Sequence, residues 1–93
     1  MKFAKNSIRD IVMHTNKPVY IRTETAAQAL QLLLQAEAEG FRFGDGKKPT
    51  EKEPDDILAF HKDMTVNYVG FVGRIAWQGD YDTVLRVHFQ DLL

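Results

Sequence analysis

The stretch from Glu39 to Thr50, EGFRFGDGKKPT, gathers three glycines, three cations and a proline into twelve residues, the types that elsewhere cradle a phosphate. A phosphate loop of the form GxxxxGK followed by Ser or Thr would need glycine at 41 and a hydroxyl at 48, where this chain has Phe41 and Lys48. The stretch also follows a helical pattern rather than a strand, so no helix N-terminus is aimed at an anion. GxGxxG fails too, because GDGKKP ends in Pro49. The stretch reads as a helix stop, a short strand and a turn.

Other candidate chemistry is sparse. His14, His61 and His88 are the only imidazoles and Ser7 the only serine, so neither a metal site nor a hydrolytic triad has the spacing it needs. Asp55 with Asp56, and Asp80 with Asp82, lie in polar loops with nothing to desolvate a catalytic acid. VGFVGR at 69–74 carries only scattered matches to an RNA-recognition strand. There is no cysteine, which removes disulfides, thiolate metal sites and cysteine nucleophiles. The reading is no enzyme, no metal and no cofactor.

Ninety-three residues suffice for a single domain, 1–93. Twelve cations against thirteen anions give a net charge of −1, a balance that makes nucleic acid an unfavoured partner. The charge is unevenly spread: residues 1–22 hold Lys2, Lys5, Arg9, Lys17 and Arg22 against Asp10 alone, while 23–46 hold four acids against Arg42. No apolar run is long enough for a membrane span or a signal peptide, and a cytoplasmic protein is expected.

Positioning elements follow from periodicity. Asn6 or Ser7 caps a short helix carrying Ile8, Ile11 and Val12 at helical spacing. PVYIRT, 18–23, alternates as a strand, with Val19 and Ile21 on one side and Tyr20 and Arg22 on the other. Thr25 with Gln28 heads the main helix; Ala26, Leu30, Leu33, Leu34 and Ala38 are expected as its inward stripe, and Gly40 as its stop. FRF, ILAF within DILAFH, TVNYVGFV and TVLRVHF follow as strands, the middle two forming a hairpin through HKDM, with two glycines marking a bulge or bend. GRIAW either extends the hairpin or starts another strand. The expected class is α+β: an antiparallel sheet of four to five strands, one main helix on one face, and the other face open.

Strand parity then collects Tyr20, Arg22, Arg42, Arg86 and His88 on that open face, with Lys47 and Lys48 at its rim. Guanidinium forks beside rings suit an anionic, stackable ligand such as a nucleotide, or an acidic protein surface. The bland alternative is that these are the solvated positions of amphipathic strands. Tyr20, Phe71 and Trp77 are the stacking candidates for single-stranded nucleic acid.

The run from Val19 to Thr65 resembles a pattern in small uncharacterised proteins of phages and prophages. There, a strand and helix lead to Gly, an aromatic, any residue, a residue that is usually Trp, and a Gly-x-x-Pro-Thr-like turn. Gly40, Phe41, Gly46, Pro49 and Thr50 fit, and Phe43 stands in the usual Trp position. The resemblance covers about half the chain and carries no catalytic residue. It implies a phage-type binding protein in the bacterial host's cytoplasm, blocking a defence protein or sequestering a small nucleotide. The alternative is a homo-oligomeric interaction module without ligand, and pairing of copies is expected in either case.

Overall fold

The computed structural model describes residues 7–79 and 83–92. Ser7 caps α1 (Ile8–Met13) by accepting from the Asp10 amide at 3.3 Å; the other cap candidate, Asn6, lies outside the described residues, as do Lys2, Lys5, Asp80 and Asp82. β1 (Val19–Arg22) leads through Thr25, whose hydroxyl accepts from the Gln28 amide at 3.1 Å, into α2 (Ala26–Ala38). Gly40 ends that helix in the left-handed region at φ 96°. The Gly40 amide donates to the Glu37 carbonyl at 3.1 Å and the Phe41 amide to the Ala36 carbonyl at 2.9 Å, the paired closure of a Schellman turn. β2 (Arg42–Phe43), a 3-10 turn at Pro49–Glu51, β3 (Ile57–Phe60), β4 (Thr65–Tyr68), α3 (Gly70–Gln78), β5 (Leu85–His88) and a last 3-10 turn (Phe89–Leu92) follow.

The five strands form one sheet in the order β2-β4-β3-β1-β5. β3 pairs antiparallel with β1 and with β4, whereas β1–β5 and β2–β4 are parallel, so the sheet is mixed rather than purely antiparallel. The α+β class stands, with five strands.

Parity runs as the alternation predicts. Val19, Ile21, Phe43, Leu58, Phe60, Val66 and Val87 share one core with Leu32, Leu33 and Ala36 of α2 and Ile8, Ile11 and Val12 of α1. The phase of α2, however, differs from the expected stripe: Ala29, Leu32, Leu33 and Ala36 are buried, while Leu30 and Leu34 are 50% and 53% exposed. Only Leu33 of the predicted stripe's leucines faces the core. The Schellman turn explains the phase, because tying Phe41 back onto Ala36 turns the Ala36 side of the helix to the sheet.

The larger correction concerns residues 69–78. The second hairpin strand stops at Tyr68, and the segment expected as strand, including GRIAW, is helix α3. It crosses the sheet face opposite α2, so that face is not left open. Tyr20 and the buried Ala59 and Ile57 lie on that side.

Candidate functional site

Three sets of contacts hold α3 to the sheet. At its middle, the Arg74 guanidinium bonds both loop acids before β3: Nη1 to Asp56 Oδ2 at 3.1 Å, Nη2 to Asp55 Oδ1 at 3.1 Å, and Nη2 also to Asp56 Oδ1. This pairing, working against burial, holds the Asp56 carboxyl down at about 2. At the C-terminal end, Arg86 Nη1 donates to the Trp77 carbonyl at 2.9 Å, and the His88 ring meets Trp77 edge to face at 5.3 Å between centroids. Beside Arg74, Gly73 lies over Tyr20: an added Cβ would sit 3.4 Å from the Tyr20 hydroxyl, an ordinary contact, but only 2.4 Å from Val69 Cβ. A glycine is needed here to clear the Val69 side chain.

The inward residues of α3 are Gly73 and Trp77, with Ala76 half-buried. The outward ones are Phe71, Val72 and Ile75, exposed by 71%, 80% and 47%, together with Gln78. A surface helix ordinarily turns a polar face to water, and one that is apolar all round is normally covered. The helix's one charge, Arg74, is engaged by the two aspartates, so α3 places no charged side chain of its own on the outer stripe.

The residues that sequence parity collected are on one face but do not form one cluster. Tyr20 is in register with Arg86, and Arg22 with His88, so these four are neighbours on β1 and β5. Three of them serve α3: Tyr20 beneath Gly73, and Arg86 and His88 against Trp77. Arg22 is exposed at the strand end. Arg42 lies on β2, at the other edge of the sheet. Four strand steps of about 4.8 Å separate β2 from β5, roughly 19 Å. Arg42 Nη1 donates to the Phe41 carbonyl at 2.7 Å, and Lys47 and Lys48 are exposed beside the turn that follows β2. Of the stacking candidates, Trp77 is buried and Tyr20 half-buried, which leaves Phe71.

The remainder of the α3 side, around Thr65 and Asn67, borders an open recess shared with His61, Asp63 and Gly44. Its polar groups are already engaged with one another: His61 Nε2 lies 2.5 Å from Asn67 Oδ1, and the Thr65 hydroxyl donates to Asp63 at 2.5 Å. That bond holds the Asp63 carboxyl below its usual range. Among the described residues no group of three or more His, Asp or Glu side chains is placed to hold a metal ion.

The α3 surface, the feature that stands out here, was missed in the sequence because Phe, Val and Ile between two glycines read as strand. One signal pointed to it: Val69, Gly73 and Trp77 recur every four residues, the spacing of a helix's inner face. No described helix is long and apolar enough to cross a membrane, so this apolar stripe is no span. Comparison with protein-family models, with curated proteins and with solved structures found no match to the chain.

Proposed function

We propose that this chain is a non-enzymatic interaction protein that works by docking the outer face of α3 onto a protein partner. The observation that carries the reading is the charge-free exposure of Phe71, Val72 and Ile75 on a helix otherwise pinned at both its middle and its end. A rigid helix presenting aromatic and aliphatic anchors is a common way to fill a groove on another protein. The resemblance to small phage proteins supplies the setting: a bacterial defence protein, blocked by occlusion in the host cytoplasm.

The runner-up is sequestration of a small anionic nucleotide by Tyr20, Arg22, Arg86 and His88. Their adjacency on β1 and β5 favours it. Against it, Arg86 and His88 already hold Trp77, and Arg42 is a sheet-width away.

Capture from bacterial lysate, with mass analysis of proteins and small molecules, separates the two. The docking reading expects a defence protein that is retained in high salt, retained by an Arg22→Ala variant, which leaves the contacts of α3 in place, and lost with Phe71→Glu plus Val72→Glu. A nucleotide that co-purifies and is lost with Arg22→Ala overturns it.

A further inference from the structure

We propose that Asp45 is a covalent modification site, a point of spontaneous aspartyl isomerisation that the folded turn guards through Lys52, and that its conversion to isoaspartate loosens β2 at the sheet edge. The site follows β2, at the edge opposite β5, and involves no residue of α3.

Asp45–Gly46 is the only Asp-Gly or Asn-Gly pair in the chain. At such a pair the glycine's backbone nitrogen attacks the aspartate's side-chain carboxyl carbon: the N–Cγ bond forms, a carboxyl oxygen leaves as water with the acid proton and the amide proton, and a cyclic succinimide results. Water then opens the ring. Addition at the side-chain carbonyl restores aspartate, while addition at the backbone carbonyl leaves isoaspartate, in which the chain runs through Cγ. The water lost is regained, so no co-reactant is consumed. Nothing lies within 4 Å of where a Cβ on Gly46 would stand, so no neighbour shields the approach.

Attack needs a neutral carboxyl and an amide nitrogen that gives up its proton, and the folded turn opposes both. Lys52 Nζ lies 2.7 Å from Asp45 Oδ2 and the Lys47 amide donates to Oδ1 at 3.0 Å, and these two hold the carboxyl below its usual range and hence ionised. The Gly46 amide donates to the Phe43 carbonyl at 2.8 Å. Lys52 also stands over the Phe43 ring, 5.3 Å from its centroid, so one ammonium ties the tip of the turn to its start. Local opening of the turn removes these restraints together.

The effect on β2 follows from its size. Arg42 and Phe43 are the whole strand, and the Phe43 amide donates to the Lys47 carbonyl at 3.0 Å across the same turn. Isoaspartate adds a methylene to the backbone between these partners, so the bonds that close the turn lose their register. Phe43, buried and packed on the Tyr68 ring, loses the closure that seats it.

Peptide mapping of the full chain after prolonged warm incubation, with isoaspartate at position 45 separated from aspartate by chromatography, tests this. The urea-unfolded chain should isomerise about ten-fold faster than the folded one or more. Lys52→Met keeps the stem over Phe43 and removes the ammonium; folded, it should isomerise about two- to five-fold faster than the wild type, the range set by an exposed ion pair, with unchanged far-UV circular dichroism. Lys52→Arg should restore the wild-type rate, and Lys52→Gln serves as the second variant should Lys52→Met misfold. In the isolated isoaspartyl form the Phe43 amide should exchange faster with solvent. A folded wild type that converts as fast as the unfolded chain overturns the guard, as do lysine variants that convert no faster than the wild type. An isoaspartyl form whose Phe43 amide exchanges at the parent's rate overturns the link to β2.

Discussion

α2 and α3 do the same topological work on opposite faces of the sheet, each returning the chain to a strand parallel to the one it left. They bury opposite things. α2 turns Leu32 and Leu33 inward, where both are nearly inaccessible, and shows water a face broken by Gln31 and Gln35. α3 turns Gly73 and Ala76 inward beside Trp77 and shows water its largest aliphatic residues and a phenylalanine. α2 is held by burial, and α3 largely by named polar contacts: Arg74 to two aspartates and Arg86 to the Trp77 carbonyl. A helix that holds the fold together spends its apolar side chains inside; one that keeps them outside has them free for another molecule.

The sharpest way to break this contrast is inside α2. Leu33→Ala should destabilise the protein by about 2–5 kcal/mol, as loss of a fully buried leucine does. Leu34→Asp, one residue on but half exposed, should cost no more than about 0.5 kcal/mol. Urea denaturation of the two variants checks the pair, and equal losses would mean that the helix has the other phase.

A middle-sized effect is expected where α3 meets the sheet. Gly73→Val places methyl groups where even a Cβ collides with Val69, and should cost about 1–3 kcal/mol. Because Trp77 is the only tryptophan and is buried on the same side of the helix, its emission should shift to the red as α3 lifts. Unchanged emission together with an unchanged melting temperature would show that close approach is not what the glycine provides.

The smallest effect is in acid, and it differs between the helices. Asp56, near α3, is lowered from 3.8 to about 2 by Arg74. Its pKa is lower in the folded than in the unfolded chain, so its stabilisation is complete above about pH 4 and disappears as the pH falls toward 2. Both partners are over 40% exposed, so the contribution should stay below about 1 kcal/mol. Glu39, at the end of α2, is also lowered: burial pushes its carboxyl up, but donors on Arg9, Gln35, Ile8 and Ser7 outweigh it. Asp56→Asn should flatten the acid limb of stability between pH 4 and 2, and Glu39→Gln the loss that sets in as the pH falls below about 4.5. A titration of urea midpoints in which neither variant changes the slope would remove both carboxylates from the account.

Much of the sheet was legible in the sequence because strand alternation has a period of two and one face is buried. Val19 and Ile21 against Tyr20 and Arg22, Phe43 against Arg42, and Val87 against Arg86 and His88 all fall as alternation requires. The caps at Ser7, Thr25 and Gly40 were legible because each is a local bond with a characteristic residue. The phase of α2 was not, since Leu30, Leu32, Leu33 and Leu34 occupy nearly every direction around the helix. Nor was α3, whose β-branched and aromatic residues favour strand until packing on Tyr20 decides otherwise. That one misreading accounts for the two others. Without a crossing helix only hairpins join the last strands, so the parallel β1–β5 pair is missed and nothing covers the second face; the parallel β2–β4 pair comes from strand order instead. The candidate site met a separate limit: parity correctly put five residues on one face, but strand order, which sequence does not reveal, put Arg42 at the far edge.

One contact between distant segments bears on the order in which the chain assembles. The Glu39 carboxylate, at the last turn of α2, accepts from the Ser7 hydroxyl at 2.8 Å and from the amides of Ile8 and Arg9 at 3.0 and 2.8 Å. Six residues are too few for a helix to persist by itself in water. The first turn of α1 therefore acquires its acceptor only once a residue some thirty positions later is in place. α1 is thus a late arrival during folding and an early departure during unfolding, and the amides of Ile8 and Arg9 should exchange with solvent well before those in the middle of α2.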